Sequence, residues 1–199
     1  MRKWKDRRGF TLTELLITVL ILVMVSGVVA AGVPAAASAY RKVVDNANAL
    51  LLLSTAKTAL RDQLETAKGD IFQPEDPETG AVLNDSISYY SVDTLYTTLC
   101  CTEDYGITLR PYETLTRDAA TGAISAYVEN TKYTRPLVSL KAVTENLRVQ
   151  FQSVTYDNKK GLFTVTGLTV IRTVNGESYT VAGSDTDVYY IKAENMLDH

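Results

Sequence analysis

The chain has 199 residues, 46% of them hydrophobic and 22% charged, enough for one domain plus an extended appendage and too apolar for intrinsic disorder. The formal net charge of −3 conceals an asymmetry. Arg2, Lys3, Lys5, Arg7 and Arg8 face Asp6 in the first nine residues, leaving the remainder 15 of the 20 basic and 22 of the 23 acidic residues, a net of −7. An acidic body offers little cationic surface to displace counterions from a phosphate backbone, so no nucleic-acid partner is expected.

From Leu15 to Ala37 the chain reads LLITVLILVMVSGVVAAGVPAAA, 23 residues without a charge. As a helix this run spans ~35 Å, enough to cross a hydrocarbon core of ~30 Å. The cationic residues before it predict a cytoplasmic N-terminus, with everything after Tyr40 exported. A secretory signal has a shorter apolar core and a small-x-small cleavage site. Ala37, Ser38 and Ala39 supply such a site, so a binding module released after Ala39 is one alternative. A static single-pass surface protein is another.

Neither alternative accounts for Glu14, which abuts the apolar run and has no basic residue inside it as a partner. Carboxylates at membrane depth cost up to ~3 kcal/mol and usually mark function. The stretch Arg7-Arg8-Gly9-Phe10-Thr11-Leu12-Thr13-Glu14-Leu15-Leu16 resembles the type IV prepilin signal, over about the first 35 residues. In that family a cationic leader, here with Arg7 and Arg8, ends in a glycine. Cleavage follows this glycine, the new N-terminus is usually phenylalanine, and a glutamate stands fifth after the cut. The resemblance implies cleavage between Gly9 and Phe10 by a prepilin peptidase that also N-methylates Phe10. It implies a register-setting role for Glu14 in filament assembly. The implied partners are other pilin subunits, an inner-membrane assembly platform and the membrane itself.

The residue chemistry agrees with that assignment. Glycine leaves the scissile backbone unobstructed, and a cut there keeps the apolar helix while releasing an α-amino group that Glu14 can pair with. A buried pair is tolerable only when both members are matched, and removing one partner costs ~3–5 kcal/mol. Gly27, Gly32 and Pro34 are candidate helix-break positions. Proline removes a helical hydrogen bond and glycine weakens a helix. The resemblance implies a proline-marked stretch that can lose its helical structure in a filament, whereas an ordinary membrane-helix kink is the other reading.

Past the membrane, Tyr40, Val43, Val44, Ala47, Leu51, Leu60, Leu64 and Ala67 recur at helical steps among charged residues, which predicts an amphipathic helix. Gly69 is the expected C′ stop, so one helix runs from Thr11 to Lys68. Asp70 to Asp85 reads as a loop. Strands are expected at Ser86–Val92, Ile124–Tyr133, Leu147–Tyr156, Leu162–Thr173, Ser178–Ala182 and Val188–Ile191. The turn Asp157–Gly161 and the hairpin signal Asn175-Gly176 separate three of them. Ser91 to Glu113 has no clear pattern.

The expected fold is α+β and pilin-like, a long N-terminal helix, membrane-spanning in its first half, packed on an antiparallel β head. Its organisation is a leader (1–9), a membrane and assembly half-helix (10–39), an amphipathic half-helix (40–68) and a head (69–199). Cys100 and Cys101 are neighbours whose Cα atoms lie ~3.8 Å apart, against the 4.4–6.8 Å usual for a disulfide. Two small, partly buried strand residues are the simpler expectation. Eleven of the 12 tyrosines follow residue 88, where they suit half-buried strands; an aromatic binding surface is the alternative. Asp185 and Asp187 are a weak metal candidate, suggested by calcium binding near this region in related pseudopilins. Two aspartates fall short of the six or more oxygens such a site needs. The only histidine is the terminal His199, and no nucleophile elbow, phosphate loop or zinc-protease motif occurs. The expectation is therefore a structural subunit, a minor pilin or pseudopilin of a pilus, secretion or competence filament, with no enzyme activity and no cofactor.

Overall fold

The computed structural model describes residues 11–76, 78–91, 95–122, 124–138 and 146–194. Arg7, Arg8, Gly9, Phe10, Val92 and His199, which the preceding analysis singles out, lie outside the described residues. Contact clustering divides the chain into two compact units, Met1–Asp45 and Asn46–His199. One helix, α1 (Leu12–Glu65), contributes to both. In the first unit, every helix residue from Leu12 to Val44 is exposed.

In the second unit α1 buries Ala49, Leu53, Ala56, Leu60 and Leu64, continued by Ala67 beyond its end. The spacing is helical throughout, but its phase differs from the expected one in the upper part. Ala47 and Leu51 are exposed, and Ala49 and Leu53 take the inner face. Ala49–Leu53 is an unbroken apolar run, so the spacing alone could not select a side there. The helix also ends three residues earlier than expected. Its Glu65 carbonyl accepts a hydrogen bond from the Glu194 amide at 3.0 Å, so a remote backbone group stands where a glycine cap was anticipated. Gly69 has φ +70° but lies inside β1 (Lys68–Phe72).

That strand corrects the loop expected from Asp70. β1 pairs antiparallel with β2 (Ser86–Ser91), placing Lys68 opposite Tyr90 and Phe72 opposite Ser88. The true turn lies at Asp76, whose Oδ1 accepts from the amides of Glu78 (2.8 Å) and Thr79 (2.9 Å). The previously unassigned stretch forms β3 (Leu95–Thr102) and β4 (Gly106–Arg117). Both are rich in threonine and tyrosine, which favour strands, and each pairs on both sides. The expected strand Ile124–Tyr133 stops at Glu129 as β5 (Ile124–Glu129), and a 3-10 turn covers Thr131–Tyr133. The sheet order is β1-β2-β3-β4-β5, with β6 (Arg135–Pro136) also pairing with β4. All pairings are antiparallel.

The two long strands expected toward the C-terminus are each broken in the middle. Leu147–Tyr156 divides into β7 (Leu147–Gln150) and β8 (Ser153–Asp157), and Leu162–Thr173 into β9 (Leu162–Thr166) and β10 (Thr169–Val174). Gln150 faces Thr169 on one side of the break and Ser153 faces Thr166 on the other. Two residues on one strand thus match two on its partner, and the hairpin keeps its register while changing sheet. The next strand also changes sheet, but with two extra residues at the change: β11 (Glu177–Gly183) pairs with β10, and β12 (Val188–Lys192) with β9, Gly183 facing Thr169 and Val188 facing Thr166. Gly183 lies at this change with φ +80°, and a Cβ there would stand 2.2 Å from the Leu168 carbonyl oxygen. Only glycine tolerates both the angle and the approach. The Asn175-Gly176 turn has φ of 54° and 85°, as a type I′ hairpin requires.

Leu60, Leu64, Ile87, Tyr89, Leu99, Ile107, Val149, Val154, Phe163, Val165 and Val170 meet in one core. Tyr89 is wholly buried and its hydroxyl donates to Gln63 Oε1 on α1 at 3.5 Å. Burial raises its pKa above the ordinary phenol range. Cys100 and Cys101 are unbridged. Cys100 Sγ meets the Thr108 hydroxyl at 3.4 Å. Cys101 Sγ accepts from the Phe151 amide at 3.3 Å, joining β3 to the break between β7 and β8. Burial pushes the Cys101 thiol up to about 12.

Two measurements check this packing on the full chain in detergent micelles. Leu60→Ala removes a fully buried side chain and should lower the unfolding free energy of the head by ~2–5 kcal/mol. Leu51→Ala, at a position 66% exposed, should change it by less than ~0.5 kcal/mol in the same denaturant titration. Cys101 should react with iodoacetamide at mildly alkaline pH on the order of 10³ times more slowly when folded than in denaturant, because only the thiolate attacks. Since the folded thiol holds its proton the longer, its contribution is intact below the unfolded pKa of ~8.5. That contribution is lost as pH rises toward the folded value of about 12. Equal alkylation rates in both states would contradict the burial.

Candidate assembly site at the helix N-terminus

The first turn of α1 is closed by two side chains. Thr11 precedes the helix and Glu14 is its third residue. The Thr11 amide donates to Glu14 Oε2 at 3.0 Å, its hydroxyl donates to the same oxygen at 2.9 Å, and the Glu14 amide donates to Thr11 Oγ1 at 3.3 Å. This reciprocal arrangement is a capping box, which satisfies amides that have no partner within the helix. The Leu15 amide reaches the Thr11 carbonyl at 3.2 Å. A carboxylate here also complements the positive end of the helix dipole. The sequence analysis singled out Glu14 but not Thr11, although the T-x-x-E spacing before an apolar run was there to be read.

Farther along, the polar side chains of the apolar run bond to their own helix. Thr18 Oγ1 donates to the Glu14 carbonyl at 2.6 Å, and Ser26 Oγ to that of Leu22 at 2.7 Å. Back-bonding of this kind lets hydroxyls sit in lipid without an unsatisfied donor. Gly27, Gly32 and Pro34 all lie inside α1, whose helical assignment continues through them. A Cβ added at Gly27 or Gly32 would meet nothing within 4 Å. Packing inside the chain therefore does not require glycine there. Around this whole stretch the surface is apolar and unpartnered: Leu16, Leu20, Val23 and Val28 are 60, 62, 61 and 74% exposed.

The structure separates this site from the other candidates. Asp185 and Asp187 fall in the turn between β11 and β12. That turn is held by the Asp187 amide on the Ser184 carbonyl (3.1 Å) and by Ser184 Oγ against Thr186 Oγ1 (2.9 Å). Among the described residues no three His, Cys, Asp or Glu side chains are grouped to hold a metal. Nine of the 12 tyrosines lie in strands, many half-buried, and Tyr112 and Tyr127 join Phe72 in an aromatic cluster with ring centroids 5.0–6.4 Å apart.

Comparison with known proteins gave one match. Residues 4–30 fit the family model described as the prokaryotic N-terminal methylation motif. No curated protein and no solved structure matches the chain. The matched stretch contains Lys5, Arg7 and Arg8 of the leader, Gly9, Phe10, the Thr11–Glu14 box and the exposed apolar helix as far as Ala30. The chain thus carries the prepilin-type cleavage and methylation signal, joined without a break to a helix long and apolar enough to span a membrane.

Proposed function

We propose that this protein is a structural subunit, a minor pilin or pseudopilin, of a type IV pilus-like, secretion or competence filament. The observation that carries the reading is the coincidence of the methylation motif with an exposed apolar helix surface from Leu12 to Val44. Before assembly that surface lies in the membrane, with the leader cytoplasmic and the head outside. The peptidase cuts after Gly9, N-methylates Phe10 and leaves the helix in place. Assembly then exchanges lipid for the helices of neighbouring subunits, and the filament stands in the periplasm or at the cell surface.

Glu14 makes that exchange selective. Cleavage creates a positive amine beside the positive end of the helix dipole, an unfavourable placement that a carboxylate offsets. In the precursor the Glu14 carboxylate is occupied by Thr11 donors of its own chain. In the filament it also meets an amine, and a subunit entering out of step leaves one charge unmatched at a cost of ~3–5 kcal/mol. Gly27 and Gly32, open in the single chain, permit close approach of neighbouring helices.

The first test is the N-terminal residue and mass of the protein recovered from its native cells. N-methylated Phe10 is the expected result. A start at Tyr40 would mean a secreted domain released after Ala39, and an intact leader would mean a static anchor; either refutes the proposal. The second test is Glu14→Ala beside Glu14→Gln. Both should insert into the membrane at wild-type levels and lose at least about tenfold in filament incorporation. Gln keeps the hydrogen-bonding shape without the charge, so its normal incorporation would remove the electrostatic register argument.

A further inference from the structure

A second site lies in the head. A cavity of about 450 Å³ opens between β1 and β5, lined by Asp70, Phe72, Gln73, Glu75, Ile124, Ser125 and Tyr127. Phe72 and Tyr127 are half-buried, with ring centroids 5.5 Å apart and planes tilted by 53°, so the cavity is floored by two aromatic rings at an angle. The polar lining is mostly of acceptors. Gln73 has committed its amide nitrogen to the Val154 carbonyl (3.1 Å), and Ser125 its hydroxyl to the Thr116 carbonyl (3.1 Å). No basic residue lines the cavity.

The two carboxylates differ. Asp70 is held by Arg117, with Nη1 2.6 Å from Oδ2. Glu75 has no described cation; its backbone amide donates to the Tyr127 hydroxyl at 3.0 Å, which ties the residue to the aromatic floor. An exposed carboxylate that lines the same cavity as two tilted aromatic rings favours a ligand that is positive and apolar at once. The negative faces of the rings attract such a cation, and the net −7 of the chain after its leader draws it in from a distance. An anionic ligand would meet the like charge of Glu75, and a neutral one gains nothing from it.

We infer that this cavity binds an organic ammonium group, with Glu75 as counter-ion and Phe72 and Tyr127 as the ring wall. Two sources carry such a group: a free quaternary ammonium and a lysine side chain. Saturation-transfer NMR on the full chain tests it, in micelles of a polyoxyethylene detergent whose headgroup has neither cation nor sugar. The probes are choline and N-acetyl-lysine methylamide at matched ionic strength, with 3,3-dimethyl-1-butanol as the neutral isostere of choline and glucose as a saccharide control. At least one ammonium probe should show saturation, and the two arms distinguish its source. Glu75→Gln and Phe72→Leu should each weaken binding at least about tenfold, the loss of ~1.4 kcal/mol, with the unfolding transition of the head kept as a control for folding. Saturation of neither ammonium probe overturns the assignment. So does equal binding of the neutral isostere, preference for glucose, or unchanged choline binding in Glu75→Gln.

Discussion

The character of this chain is set by an apolar helical surface that is exposed among the described residues. From Leu12 to Val44 each residue of α1 is exposed, a far larger apolar area than a solitary soluble protein leaves in water. A bilayer or other helices must cover it. Lipid and neighbouring helices are nearly equal as apolar surroundings, so exchanging one for the other has a small free-energy change. That near balance lets such a helix be stored in a membrane and later withdrawn into an assembly, and it leaves the choice of state to a few polar groups.

Glu14 and Thr11 are polar groups of the first turn. Their mutual hydrogen bonds satisfy the start of the helix, where an amide left open in lipid would cost several kcal/mol. Thr18 and Ser26 follow the same logic by bonding to the preceding turn. The result is a helix with a charged tip and a sealed backbone. Its remaining specificity resides at one end, where the methylation motif also lies.

The second unit solves a different problem, which is to hold three small antiparallel sheets and the lower part of α1 in one core. The hairpin Leu147–Val174 does this by passing from one sheet to the next without losing register. Phe151 and Gly183 mark the passage, the first by its amide on Cys101 Sγ and the second by its close approach to Leu168. Such bends let one long ribbon cover more than one side of a core. The aromatic cavity between β1 and β5 is built from β1, the strand absent from the expected pattern, together with the tyrosine-bearing edge strand β5.

The sequence by itself determined whatever depends on neighbours along the chain. The leader charges, the Gly9-Phe10 junction, Glu14 at the lip of the apolar run and the length of that run are local patterns, and so are the Asn175-Gly176 hairpin and the Asp157 turn. Thr11 was equally local and was overlooked. Tertiary structure decided the rest. Among the five consecutive apolar residues Ala49–Leu53, only the sheets could choose which face turns inward. β1 reads as loop because its pairing with β2 supplies what Lys68-Gly69-Asp70 lacks in propensity. At the breaks near Phe151 and Gly167 the buried phase passes from odd to even positions, from Val149 and Phe151 to Val154 and from Phe163 and Val165 to Leu168 and Val170, but the change of sheet that causes the shift is visible only in the partner strands. The helix end at Glu65 is set by an amide 129 residues away in sequence. In each of these cases the deciding partner is distant in the chain, and a sequence pattern records the side chains that need burial without recording what buries them.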